Sequence, residues 1–71
     1  MTKSRAELQL ILNDLEAAIP GWKLEYSDEG DLAMAFAGVA DEAIENVAEA
    51  DDAWLRERLD AIQAHYGIGG A

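Results

Sequence analysis

The chain contains no cysteine, so neither disulfide bonds nor thiolate metal sites can contribute to its stability. Its 71 residues fit a single domain with expected bounds 1–71. One apolar core must therefore hold the fold together, while residues 1–3 and 69–71 are expected to fray. A chain of this length also has little room for a deep internal pocket.

The N-terminal segment predicts an amphipathic helix. Residues 4–7 (Ser-Arg-Ala-Glu) match a capping box, in which two side chains satisfy free backbone N–H groups. Apolar residues then recur at three- and four-residue spacing: Leu8, Ile11, Leu12, Leu15 and Ile19. Residues 20–21 (Pro-Gly) predict the helix end, so the helix is expected from about Arg5 to Ala18. Leu10 lies off the apolar face and is predicted to be an exposed partner contact.

After this helix the apolar pattern changes to alternation, which is typical of strands. The large residues that alternate with small or polar ones are Trp22, Leu24, Tyr26, Leu32, Met34 and Phe36. Residues 27–31 (Ser-Asp-Glu-Gly-Asp) between them have turn chemistry, which predicts an antiparallel hairpin. On its opposite face Ala33, Ala35 and Ala37 permit close approach, and both strand edges are free. We therefore expect that the hairpin could form a homodimer.

A second helix is predicted after Gly38, with Asp41 as its cap. Its apolar positions share one helical face: Ile44, Val47, Ala48, Leu55, Leu59, Ile62 and Tyr66. Gly67 and Ile68 match a Schellman ending, in which an apolar residue folds back onto the last turn. The sequence thus predicts an α+β domain of order helix-strand-strand-helix, with two helices covering one face of the hairpin.

Asp51 falls inside the apolar face of a continuous second helix. Either the helix bends or breaks there, with Asp51 capping a segment that begins at Asp52 or Ala53, or the carboxylate pairs with a base such as Arg58. The bend or break is the favoured interpretation.

Fifteen acidic against five basic residues give a net charge of −10. This charge repels nucleic-acid phosphates and anionic lipids, so direct binding to nucleic acid or membranes is disfavoured. No apolar run reaches the roughly 20 residues that a membrane helix needs, and no signal peptide is evident, which predicts a cytoplasmic protein. The expected partner is the basic surface of another protein.

Four carboxylates lie on the side of the second helix opposite its apolar face: Glu42, Glu45, Glu49 and Asp52. They are predicted to contact such a partner. On one helix this acidic row has a spacing of roughly 5 Å, comparable to that of phosphates along a nucleic-acid strand. Trp54 or Leu10 would add an apolar contact. The alternative interpretation is an ordinary solvated helix face.

These features predict a small acidic protein-binding module and no enzyme. The module could be an inhibitor that occupies the nucleic-acid-binding surface of its partner. In that role it would be a nucleic-acid mimic of the phage anti-defence type. The alternative is a structural or adaptor subunit that homo-oligomerises through the hairpin. No catalytic residue, metal site or cofactor is predicted. The two serines have structural roles as a cap and a turn residue, and His65 lies where it can interact with a helix C-terminus.

Overall fold

The chain folds into a bundle of three α-helices. A computed structural model describes residues 2–68, with helix α1 at Arg5–Glu25, α2 at Glu29–Glu45 and α3 at Asp52–Tyr66. A short 3₁₀ helix, Glu49–Asp51, precedes α3. Each α-helix contacts the other two. Within residues 2–68 there is no sheet, so the predicted α+β fold and its helix-strand-strand-helix order are wrong.

The predicted start of α1 is confirmed. The Ser4 Oγ accepts a hydrogen bond from the Glu7 backbone N–H at 3.2 Å, and the Glu7 carboxylate accepts one from the Ser4 N–H at 3.0 Å. Two N–H groups that no helical carbonyl can reach are satisfied in this way. The N-terminal segment is held further by the Lys3 N–H, which donates to the Asn46 carbonyl at 2.7 Å.

The predicted end of α1 at Ala18 is wrong, because the helix passes through Pro20 to Glu25. Proline lacks the N–H for one helical hydrogen bond, which costs up to about 3 kcal/mol in a helix interior. Packing of the extended helix offsets that cost: Ile19 is fully buried, Trp22 packs against the core in the next turn, and Tyr26, the residue after the helix, also packs against the core.

The predicted hairpin is also wrong, and its second strand, with the end of its turn from Glu29 onward, forms part of α2 instead. The buried residues of α2 follow a helical period: Leu32, Phe36, Ala40 and Ala43. Met34, predicted to share a strand face with Leu32 and Phe36, is 74% exposed. Asp28, predicted to lie in the turn, caps α2 by accepting a hydrogen bond from the Gly30 N–H at 2.8 Å.

The helix predicted to begin at Asp41 is in fact the end of α2 followed by α3. Asp41 therefore lies inside α2 and caps nothing. A break does occur near Asp51, and α3 begins at Asp52, but the break separates two helices that pack on each other. The Asp51 side chain does not cap α3; it pairs with Arg5 rather than with the predicted Arg58.

The core lies along the line where the three helices meet. Its buried members are Leu8, Leu12, Leu15, Ile19, Leu32, Phe36, Ala40, Ala43, Leu55, Leu59 and Ile68. Ile68 joins this core because Gly67 ends α3 with φ 65°, a left-handed conformation that turns the chain back. The predicted left-handed glycine and the return of Ile68 to the core are thus confirmed, with the Gly67 N–H donating to the carbonyls of Ala64 and Gln63. The predicted fraying of residues 69–71 lies outside the described residues.

Candidate partner-binding groove

An open apolar groove runs between α2 and α3. Its volume is about 410 Å³, and its apolar lining comes from Ala33, Phe36, Ala37, Ala40, Ile44 and Leu59. The α2 contribution consists largely of alanines, whose short side chains do not fill the space between the two helices. The groove is therefore a consequence of the alanine-rich sequence of α2.

Polar side chains line the two rims of this groove. Asp41 is on the α2 side, whereas Arg56, Asp60 and Gln63 are on the α3 side. The Arg56 Nε donates to the Asp52 carboxylate at 3.0 Å, so the one base at the groove is already engaged. Asp41 and Asp60 are exposed and take part in neither ion pair found among residues 2–68. The groove thus combines an apolar floor with a net acidic rim.

The predicted acidic row does not exist as one helical row. Glu42 and Glu45 lie near the end of α2, Glu49 lies in the 3₁₀ helix, and Asp52 is the first residue of α3. The helical spacing that suggested a mimic of nucleic-acid phosphates therefore fails, since it required one continuous helix. The four carboxylates are instead distributed along the chain from the last turn of α2 to the first residue of α3.

Trp54 and Leu10 lie in different environments. Trp54 is half-buried against the core, and the guanidinium carbon of Arg5 lies 4.7 Å from the centroid of its ring. That stacking is a cation–π contact, which gives Trp54 a structural role. Leu10 is 64% exposed on the solvent side of α1. The predicted partner contacts of both residues stay predictions.

The alanines predicted to mediate self-association are helical residues of α2. Ala33 and Ala37 line the groove, whereas Ala35 does not. Pairing of strand edges is unavailable within residues 2–68, so a homodimer formed through the hairpin is ruled out for this part of the chain. The sequence analysis missed the groove itself. Its signal was the recurrence of small residues at 33, 37 and 40, a helical spacing.

Among residues 2–68, two titrating groups have perturbed pKa values, and both lie away from the groove. The backbone N–H of Ser4, followed by its hydroxyl, lowers the pKa of Glu7. Partial burial and the nearby Glu16 carboxylate raise the pKa of Tyr66, whose hydroxyl donates to that carboxylate at 3.3 Å. Both shifts follow from contacts that hold helices in place.

Comparisons of the chain with protein-family models, curated proteins and solved structures find no match. Among residues 2–68, no three acidic or histidine side chains gather in a way that could hold a metal ion. No helix in the same range has the length and apolar character needed to cross a membrane.

Proposed function

We propose that this domain is an acidic protein-binding module whose α2–α3 groove receives a basic, amphipathic helical segment of a partner protein. The observation that carries the proposal is the open apolar floor beside two exposed carboxylates, Asp41 and Asp60. An amphipathic helix places apolar residues at three- and four-residue spacing, and such residues are what a shallow apolar groove accepts. Lysine or arginine residues beside them would meet the acidic rim.

The charge of the whole chain supports this choice of partner. A net charge of −10 produces a negative field that attracts basic surfaces over roughly a Debye length, about 10 Å at 0.1 M salt. The same field repels nucleic acids, anionic membranes and acidic proteins. Attraction at long range followed by insertion of apolar side chains is expected to give fast, salt-sensitive association. The proposal assumes a cytoplasmic protein, which the absence of cysteine favours.

If the basic segment belongs to the nucleic-acid-binding surface of its protein, the module acts as an inhibitor. The bound domain would neutralise the lysines and arginines that otherwise contact phosphates, and its volume would exclude the nucleic acid. This form of the proposal depends on competition for one surface. Inhibition of this kind does not require a regular row of carboxylates that imitates a phosphate backbone.

The experiment uses NMR titration with a model peptide of leucine and lysine arranged as an amphipathic helix. A scrambled peptide of the same composition serves as the peptide control. We expect the largest shift changes at Ala33, Ala37 and Ile44 with the helical peptide, and weaker binding at about 0.5 M than at about 0.05 M salt. Equal binding of the scrambled peptide, or shifts that follow only the distribution of carboxylates, would contradict a groove site.

Protein variants separate the rim charge from the total charge. Combined Asp41→Asn and Asp60→Asn substitutions remove two acids at the groove, whereas Asp14→Asn with Glu25→Gln removes two exposed acids on α1. Both pairs remove two negative charges from a net charge of −10, so they change the total charge equally. We expect the groove pair to weaken peptide binding clearly more than the α1 pair. Equal weakening by both pairs would show that only total charge matters.

A further inference from the structure

A second open cleft lies between α1 and α3, away from the α2–α3 groove, and its volume is about 270 Å³. Its floor is apolar and consists of the buried Leu12, the half-buried Ile62 and Ala61. Four polar side chains form its rims, two on α1 and two on α3: Gln9, Glu16, Arg58 and His65. This α1–α3 cleft therefore combines an apolar floor with charges of both signs.

The two helices that form the cleft run parallel. Near their starts, the Arg5 guanidinium contacts the carboxylate of Asp51, the residue before α3, at 2.9 Å. Near their ends, the Lys23 Nζ donates to the Tyr66 carbonyl at 2.7 Å. The rims therefore run in the same direction, and an early position on α1 lies opposite an early position on α3.

The basic and acidic groups lie at opposite ends of the cleft. Gln9 and Arg58 line the end nearer the helix starts. Glu16 and His65 each come about two helical turns later, which is roughly 10 Å along the axis. The apolar floor extends between the guanidinium at one end and the carboxylate at the other.

Both charged groups are accessible to a ligand. Arg58 and Glu16 are exposed, and neither takes part in an ion pair found among residues 2–68. The Tyr66 hydroxyl donates to the Glu16 Oε1 at 3.3 Å and so holds this carboxylate at the rim. An ionised carboxylate has about four acceptor positions, so one bond from Tyr66 leaves Glu16 able to accept others.

We propose that the α1–α3 cleft binds an ω-amino carboxylate, a molecule with a carboxylate and an ammonium at the two ends of an aliphatic stem. The carboxylate pairs with Arg58, whose planar guanidinium can donate two parallel hydrogen bonds. The stem packs on Leu12 and Ile62, and the ammonium pairs with Glu16. A C-terminal lysine has these same parts, since a four-carbon stem leads to its ammonium. The cleft is separate from the α2–α3 groove, so this proposal does not depend on the proposed function.

Binding at this cleft is expected to be weak and to require both charges of the ligand. Ion pairs at exposed side chains contribute little, so the expected Kd is about 1 mM or higher. A protein with a net charge of −10 also attracts any cation through its overall field. Dependence on the ligand's carboxylate therefore distinguishes the proposed site from general attraction.

The first test is an NMR titration with ε-aminocaproate at about pH 8 and about 20 mM salt, where imidazole is uncharged and screening is weak. Caproate and hexylamine are the control ligands, since each lacks one of the two charges. We expect shift changes at Leu12, Ala61 and Ile62 with ε-aminocaproate, and binding at least about threefold weaker for either control. Hexylamine that binds as tightly as ε-aminocaproate, or no response at these residues, would overturn the proposal.

Matched variants separate the cleft from the total charge. Arg58→Gln removes the guanidinium at the cleft, whereas Arg56→Gln removes one at an exposed position of the same helix outside it. Glu16→Gln and Asp14→Asn are the corresponding acidic pair on α1. We expect each cleft variant to weaken ε-aminocaproate binding at least about threefold relative to its control. Equal effects within either pair would overturn the proposal.

Two peptides distinguish the source of the ligand. One ends in lysine with a free carboxylate, and the other is the same peptide with a C-terminal amide. Preferential binding of the free-acid peptide, at least as tight as that of ε-aminocaproate, would identify a protein C-terminus as the ligand. Weaker binding of that peptide than of ε-aminocaproate would assign the cleft to a free ω-amino acid. Equal binding of the two peptides would contradict the role of Arg58 and overturn the proposal.

Discussion

Arg5 joins the start of α1 to the start of α3 through Asp51: its Nε and Nη2 atoms donate to the same carboxylate oxygen at 3.2 and 2.9 Å. The guanidinium also stacks on Trp54, 4.7 Å from the ring centroid. Arg56 forms a similar exposed pair with Asp52 and has no aromatic partner among the contacts found in residues 2–68. The two arginines therefore differ in the stacking contact and in what they join, since the Arg56–Asp52 pair lies within α3.

Substituting Arg5→Lys should destabilise the domain by about 0.5–1 kcal/mol, because an ammonium keeps the charge but loses the planar stacking and paired donors. Arg56→Lys should change stability by only a few tenths of a kcal/mol, as expected for an exposed ion pair. Urea unfolding followed by circular dichroism gives both free energies of unfolding. Equal effects of the two substitutions would contradict a larger contribution of Arg5 through its contacts with Asp51 and Trp54.

Pro20→Ala should stabilise the protein by about 1–3 kcal/mol. Alanine restores the N–H that a helix interior requires, and the gain is reduced because the unfolded chain becomes more flexible. Pro20→Gly restores the same donor at a lower helix propensity and should stabilise less, by about 1 kcal/mol. Thermal unfolding of the three proteins checks this order. A loss of stability on Pro20→Ala would contradict a helix that continues through this position.

The residues that follow Pro20 show why the sequence alone predicted a strand in this segment. Trp22, Leu24 and Tyr26 fit a period of two, but Trp22 and Tyr26 also fit a helix that continues from Ile19. Leu24 distinguishes the two patterns, since a strand buries it and the structure leaves it 90% exposed. Residues 20–21 (Pro-Gly) favoured a helix end, and only tertiary packing against the core overrides that local signal.

The same ambiguity affected α2, where one local signal did favour the helix. Leu32 and Phe36 fit either period, but alanine is the strongest helix former and is depleted in strands. The alanines between them were therefore better evidence for a helix than for a sheet face. Local features of one segment, such as the Ser4 cap and the Gly67 ending, could be predicted. The groove could not, because it depends on how two helices pack.

Three glycines should respond to alanine substitution with different signs. A Cβ at Gly21 or Gly38 would meet no atom within 4 Å, and both residues lie inside helices. Gly21→Ala and Gly38→Ala should each stabilise by about 0.5–1 kcal/mol. Gly67→Ala should destabilise by about 1 kcal/mol or more, because φ is 65° there. Chemical unfolding measures all three, and stabilisation by Gly67→Ala would contradict the left-handed ending of α3.

The capping box makes a specific prediction about acid. Because Ser4 donates to the Glu7 carboxylate, the folded pKa of Glu7 lies below its ordinary value of 4.5. A lowered folded pKa stabilises the protein above the unfolded pKa, and that contribution disappears as the pH falls through the folded pKa.

An NMR titration of the Glu7 side chain should show the lowered pKa directly. Ser4→Ala removes the hydroxyl donor and keeps the backbone N–H, so it should move the pKa only part of the way back. No movement would show that the backbone N–H alone lowers the pKa, whereas a pKa of 4.5 or above in the wild-type protein would contradict the capping box.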